Sequence, residues 1–121
     1  MELHDSERLR KLLHQRREAH QAALGRETQR LTKAAAALGV QRVIIFGSQA
    51  RGEAGLASDL DLLMVWDTPL GFLERTVELY RHLQPEVAVD LLVYTPHEMI
   101  RMAQTPLVRR ALAEGRVLYE A

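Results

Sequence analysis

Asp59 and Asp61 stand one residue apart at the start of an apolar run, and they are the side chains of this chain best suited to chemistry. If the run is a β-strand, alternate side chains point to one face, so both carboxylates project the same way with Cα atoms about 6.6 to 7 Å apart. An ionised carboxylate is costly to bury without a partner or a metal. The spacing therefore predicts a divalent-metal site, although an aspartate pair can also mark a solvated strand end.

A third carboxylate, Asp90, interrupts another apolar stretch, which predicts a strand over residues 87–94. Apolar neighbours on both sides make simple exposure a poor explanation for this residue. Mg²⁺ prefers hard oxygen ligands and keeps waters or substrate phosphates in its shell, so two or three aspartates are enough to hold it. We predict that Asp59, Asp61 and Asp90 are the catalytic and metal-binding residues. Two ions about 3.5 to 4 Å apart suit such a set, with Asp90 on the side of the attacking hydroxyl.

Gly47 and Ser48 follow a short apolar run, and the turn they make is suited to binding phosphate. Glycine lets the backbone approach a phosphate closely, and Ser48 offers a hydroxyl and an N–H at the start of the short helix expected next. Arg51, one turn further on, is placed for a charge-assisted contact with a triphosphate. A P-loop is excluded because no Lys-Ser or Lys-Thr pair follows Gly52. We therefore predict nucleotide binding by Gly47, Ser48 and Arg51.

A long N-terminal helix is expected over residues 5–38, because this segment holds no proline and is dominated by helix formers. Gly25 is its expected break, and Gly39 its expected end. Leucines seven residues apart mark one face, at Leu24, Leu31 and Leu38. That face can be buried against its own domain or against a second chain.

The remaining segments predict a layered α/β domain. Strands are expected over residues 43–46, 59–66, 87–94 and 117–119. A helix over residues 70–83 is expected to bury Leu73, Val77 and either Tyr80 or Leu83. The order of helices and strands is typical of an α/β fold with a layered core.

Two shorter helices are expected near the C-terminus. Thr95, Pro96 and Glu98 combine an N-cap residue, a first-turn proline and a glutamate three residues after the cap, which is a capping-box pattern. A second short helix is expected over residues 107–113.

Length and composition indicate one globular unit. The chain has 121 residues, no cysteine, and equal numbers of acidic and basic side chains. Disulfides and thiolate chemistry are therefore excluded, and a protein that mainly grips nucleic acid is disfavoured. We expect a helix or helical hairpin over residues 1–38, a domain over residues 39–121, no membrane segment and a cytoplasmic location.

Charge is distributed unevenly along the chain. Residues 1–38 carry eight Lys and Arg against five Asp and Glu, whereas residues 39–121 carry eight against eleven. The acidic excess lies in the part with the predicted metal site, and the basic excess lies in the predicted N-terminal helix.

The motif Gly47-Ser48, ten residues, Asp59-Leu60-Asp61 resembles that of the nucleotidyltransferase superfamily that includes DNA polymerase beta, in particular its minimal single-domain members. Further similarities lie at Ala50-Arg51-Gly52, Ser58, Asp90 and the closing run 114–119. The resemblance covers about residues 40–121.

The resemblance implies a polymerase-beta-like nucleotidyltransferase fold, with a mixed sheet and flanking helices, and Mg²⁺-dependent transfer of AMP from ATP to a hydroxyl. By position, Gly47 and Ser48 would hold the triphosphate, Asp59 and Asp61 the metal, and Asp90 would complete the site. Minimal members are often antitoxins whose partner is an all-helical HEPN ribonuclease, so a partner protein is the expected acceptor.

Two alternatives remain open from the sequence. The chain could neutralise a partner by binding alone, through its basic N-terminal helix, or it could modify a small molecule. A homo-oligomer is also possible. The small-molecule alternative is weaker because 121 residues leave little wall for a specific pocket.

Overall fold

The computed structural model describes residues 3–47 and 58–121. Its elements are α1 (Leu3–Ala37), β1 (Val40–Phe46), β2 (Leu60–Trp66), α2 (Phe72–Leu83), β3 (Val89–Tyr94), α3 (Pro96–Met102), α4 (Pro106–Glu114) and β4 (Arg116–Glu120). Strands and helices alternate along most of the chain, as the sequence predicts.

The four described strands form one mixed sheet in the order β3-β2-β1-β4. β1 pairs antiparallel with both β2 and β4, whereas β2 and β3 are parallel. The parallel pair exists because α2 carries the chain back between the two strands. The predicted mixed sheet with flanking helices is confirmed.

The sheet is covered on both faces, which explains its nearly continuous apolar strands. On the first face, α1 and α2 pack over a buried cluster that includes Leu31, Leu62 and Leu79. On the second face, α3 and α4 contribute to a smaller cluster that includes Leu63, Tyr94 and Val108. Alternate residues of β2 thus belong to different clusters.

The N-terminal helix α1 is unbroken over its 35 residues, so the expected break at Gly25 is wrong. A glycine inside a helix costs only about 1 kcal/mol, and Leu24 and Glu27 beside it are buried. Gly39 follows the helix with a φ of +98° and ends it as predicted. Despite the length of α1, no helix within residues 3–47 and 58–121 is apolar enough to cross a membrane.

The buried face of α2 differs from the predicted one. Leu73 and Val77 are exposed, so that part of the prediction is wrong, whereas Leu83 is buried as predicted, together with Arg75 and Leu79. Arg75, Leu79 and Leu83 are four residues apart and share one face of the helix, so burial of the two leucines also brings the Arg75 guanidinium into the protein. A charged residue in the apolar stripe made the sequence pattern misleading.

Arg75 links α2 to β3 and α3. Its guanidinium donates to the Leu70 carbonyl at 2.9 and 3.1 Å, to the Val93 carbonyl at 3.3 Å, and to the Glu98 carboxylate at 2.5 and 3.3 Å. This pairing holds the pKa of Glu98 below its usual range. Glu98 also completes the predicted capping box with Thr95, which is confirmed.

Replacing Arg75 should destabilise the fold strongly. We expect Arg75→Met to lower the free energy of unfolding by about 2 kcal/mol, because it leaves two carbonyls without this donor and Glu98 with only the Thr95 amide. This is below the roughly 3 to 5 kcal/mol of a fully buried pair, since the Glu98 side chain is 32% exposed. Urea denaturation measures the change. On the same helix, Arg81→Met removes an exposed pair with Glu78 and should cost less than about 1 kcal/mol; equal losses would contradict the assignment.

Candidate active site

Two of the three predicted carboxylates lie side by side. Asp61 of β2 and Asp90 of β3 are direct Cα partners across the parallel pair. Both strands begin at this end of the sheet, where β1 finishes, and we call it the carboxylate end. Asp61 is half-buried, whereas Asp90 is exposed. The expectation that its apolar neighbours make exposure of Asp90 a poor explanation is therefore wrong, because Asp90 lies near the start of β3, the edge strand of the sheet. The two side chains share the sheet face with Leu63 and Tyr94, so they open toward the second face.

Asp59 takes a different direction. It lies at a bend before β2, so strand alternation does not set its side chain. Its Oδ2 accepts a hydrogen bond from the Ala88 amide at 3.1 Å, and its Oδ1 lies 3.8 Å from His20 Nε2 of α1. Within residues 3–47 and 58–121, no three acidic or histidine side chains are grouped closely enough to hold a metal ion. A metal-binding role for Asp59 stays a prediction.

Ser58 positions Asp61, and the sequence reasoning assigned it no role. Its hydroxyl donates to Asp61 Oδ1 at 2.7 Å. Burial raises the pKa of the Asp61 carboxyl; the Ser58 hydrogen bond opposes this shift and the nearby Asp90 carboxylate adds to it. A serine three residues before a strand aspartate is a local signal that could have indicated the contact.

Gly47 completes the described part of the site. It has a φ of +73°, a conformation that L side chains rarely adopt. A Cβ built on Gly47 would overlap Asp61 Oδ2 and lie 3.1 Å from Asp61 Cγ. Glycine therefore lets the backbone lie against the Asp61 carboxylate in its present position, and a methyl group would displace that carboxylate.

The other predicted phosphate-binding residues, Ser48 and Arg51, lie outside the described residues. Beside Gly47 the structure has a cavity of about 170 Å³ between the end of β1 and α4. Its lining is formed by Phe46, Gly47, Leu107, Arg110, Ala111 and Glu114. Openings of about 510 Å³ each lie away from the carboxylates, one along α1 and one along α2.

The raised pKa of Asp61 predicts how stability depends on pH. A carboxyl whose folded pKa is raised opposes folding when ionised, and this penalty disappears as the pH falls below the unfolded pKa of about 3.9. With EDTA present, we expect Asp61→Asn to raise the free energy of unfolding at pH 7 by about 0.2 to 1 kcal/mol, the range of cross-strand pairs. The gain should shrink toward pH 4. Urea denaturation across this range measures it, and a gain that grows on acidification would contradict the prediction. Asp67→Asn, in the exposed segment that follows β2, is the control.

Residues 28–119 match the family described as "Nucleotidyltransferase domain". The match covers most of the chain and includes Gly47, Asp59, Asp61 and Asp90. The chain is a member of the nucleotidyltransferase domain family. Residues 1–27, including most of α1, lie outside the matched part.

Relatives of this nucleotidyltransferase domain agree with that assignment. A Methanocaldococcus jannaschii protein, MJ0604, whose name proposes protein adenylyltransferase activity, is 31% identical over 81 residues, which are 66% of this chain and 79% of that protein. A crystal structure of a proposed nucleotidyltransferase from Sulfolobus solfataricus superposes with a TM-score of 0.54 at 25% identity. It covers 69% of this chain and 77% of the other.

The donor set of this nucleotidyltransferase domain fits a divalent cation. Asp61 and Asp90 bring two carboxylates together on neighbouring strands, and the pKa of Asp61 is raised partly because Asp90 repels it. Both offer the hard oxygen ligands that Mg²⁺ prefers. A cation bound between them would remove the repulsion that the pair now carries.

Proposed function

We propose that this nucleotidyltransferase moves AMP from ATP to a hydroxyl group of a partner protein, with Mg²⁺ as its cofactor. The observation that carries the proposal is the Asp61–Asp90 pair facing the glycine turn at Gly47, within a matched nucleotidyltransferase domain. The name of the M. jannaschii relative favours a protein as the acceptor.

The reaction would exchange one phosphorus–oxygen bond for another. The acceptor oxygen forms a bond to the α-phosphorus of ATP, the bond from that phosphorus to the β-phosphate oxygen breaks, and pyrophosphate leaves. The hydroxyl proton leaves the acceptor oxygen in this step and passes to a carboxylate of the site or to water. Asp90 is the exposed carboxylate of the pair, and we propose that it faces the acceptor hydroxyl.

The residues that would hold Mg²⁺ are Asp61 and Asp90, with Asp59 as a further ligand if its side chain leaves the Ala88 amide. When bound, Mg²⁺ neutralises charge on the phosphates and makes a hydroxyl more acidic. Ser58 holds the Asp61 carboxylate in one orientation. Gly47 lets the backbone lie against that carboxylate, and Ser48 and Arg51 are proposed to contact the triphosphate.

A helical HEPN-type ribonuclease is the acceptor that the family resemblance implies, and the chain would then act as an antitoxin. Neutralisation by binding alone and transfer to a small molecule are the competing functions. They differ from the proposal in one measurable result, which is covalent AMP on a protein.

Label transfer tests the proposed function. The purified protein is incubated with MgCl₂ and an extract of the cells that make it, using ATP labelled either at the α-phosphate or at the γ-phosphate. We expect the α-label to appear on protein and the γ-label to appear no more than in extract alone. EDTA should abolish the transfer, and mass spectrometry of the labelled band should find one adenylate on a hydroxyl side chain.

Each alternative gives a different pattern. A small-molecule acceptor would release pyrophosphate without labelling protein, and neutralisation by binding alone would give neither signal. Equal labelling by an Asp59→Asn/Asp61→Asn variant would assign the signal to enzymes of the extract and contradict the proposal.

A further inference from the structure

The N-terminal half of α1 extends beyond the domain. We call residues 4–23 the arm. Every residue from 7 to 22 is exposed, whereas Leu24, Glu27 and Leu31 further along the same helix are buried. At 1.5 Å per residue, the part of the arm from His4 to His20 is about 24 Å long.

The arm projects past the carboxylate end of the sheet. A two-residue turn joins α1 to β1, and α1 packs on the sheet, so the helix runs back against β1 toward the end where β1 finishes. The 3.8 Å approach of His20 Nε2 to Asp59 Oδ1 marks where the helix passes that end. His20, near the C-terminal end of the arm, therefore lies beside Asp59, which is two residues before Asp61 in the sequence. The rest of the arm continues into the space beyond the carboxylate end.

The arm carries an apolar stripe on the same side as the buried part of the helix. Eleven residues make about three turns and seven make about two, so Leu13 lies in line with Leu24 and Leu31. Leu9 and Leu12 adjoin it. The three arm leucines are 50%, 45% and 43% exposed in the order Leu9, Leu12, Leu13. A stripe that is buried in one half of a helix and uncovered in the other is typical of an interaction surface.

The charge of the arm indicates the chemistry of a surface that would fit it. It holds five basic side chains, Arg8, Arg10, Lys11, Arg16 and Arg17, against three acidic ones, although the whole chain is neutral. A complementary surface is apolar with carboxylates around it. A second copy of the arm would set basic helices against each other, so a different, acidic protein surface fits better.

We infer that the arm is the docking surface for the protein acceptor, which presents an apolar patch bordered by Asp and Glu and is thereby held at the carboxylate end of the sheet, where its hydroxyl can reach the Asp61–Asp90 pair. This inference rests on the proposed function. The family match begins at residue 28, so the arm lies outside the matched part of the chain.

The test compares the rate of α-label transfer to extract protein by the full chain and by Leu9→Glu/Leu13→Glu. Glutamate keeps the helix but abolishes apolar contact, so we expect the rate to fall at least about tenfold at limiting extract. The affinity for Mg-ATP, measured by calorimetry, and the thermal midpoint should not change. Leu73→Glu is the matched control, since it alters a 74% exposed leucine on α2 and should label at the rate of the full chain.

Charge gives a second variant. Arg16→Glu/Arg17→Glu should also slow labelling at least about threefold at low ionic strength, and added salt should narrow the difference.

Failure of the proposed function and failure of the inference about the arm give different results. If the unchanged protein labels nothing, the proposed function is wrong and the inference falls with it. If the unchanged protein labels but both arm variants label equally well, the inference is wrong and the function stands. Sedimentation of the full chain and of Leu9→Glu/Leu13→Glu tests for a dimer. If the full chain is a dimer, the variant is a monomer and both label protein at the same rate, a second copy occupies the arm and the inference is wrong.

Discussion

Asp61→Asn should reduce AMP transfer at least about a thousandfold while leaving the protein folded. The substitution keeps the shape of the side chain and an oxygen to accept the Ser58 hydrogen bond, but it removes the charge. Metal-assisted charge stabilisation contributes several kcal/mol to a transition state, and about 4 kcal/mol corresponds to a thousandfold in rate. The initial rate of α-label transfer at saturating Mg-ATP measures the loss.

Two further variants test whether the loss of activity is specific to the Asp61–Asp90 pair. Asp90→Asn removes the other half of the pair and should cause a loss of similar size, whereas Asp67→Asn removes an exposed charge and should have no effect on the rate. The assignment of the site is contradicted if Asp61→Asn keeps more than a tenth of the activity.

Gly47→Ala is the second change expected to have a large effect. A methyl group at residue 47 would overlap the Asp61 carboxylate, which must then turn away from its present position beside Asp90. Misplacing a catalytic group by about 1 Å can cost a hundredfold in rate, and we expect a loss of that order. The φ of +73° adds strain, so the free energy of unfolding should fall by about 1 to 2 kcal/mol.

Gly71→Ala is the matched control for this substitution. Gly71 has an ordinary φ of −63°, and a Cβ there would meet its nearest atom, Glu74 Oε1, at 3.8 Å. That variant should keep full activity. The proposed role of Gly47 would be untenable if its alanine variant were as active as the Gly71 variant.

Local signals in the sequence were sufficient for several elements. Gly39 ends α1, and Thr95 caps α3 with Glu98, because both devices act between residues a few positions apart. The alternation of β2 placed Asp61 on the face of Leu63 for the same reason. Each of these features depends on backbone geometry that is set by residues close together in the sequence.

Packing between segments decided whether α1 continues through its glycine and which face of α2 is buried. Gly25 stays helical although glycine is a poor helix former, because the buried Leu24 and Glu27 beside it fix α1 against the domain. The buried face of α2 includes Arg75, whose guanidinium pairs with Glu98, 23 residues away in the chain. No count of apolar residues within the helix could indicate that partner.

The sequence by itself determined the kind of site, since the residues Gly47, Asp59, Asp61 and Asp90 and their spacing specify carboxylates beside a glycine turn on apolar strands. Only the tertiary structure decided which of them meet. The register of β2 against β3 pairs Asp61 with Asp90, and the bend before β2 turns Asp59 toward Ala88 and His20. Register and helix direction arise from contacts between segments far apart in the chain, and for the same reason only the fold could show that the arm of α1 extends past the carboxylate end.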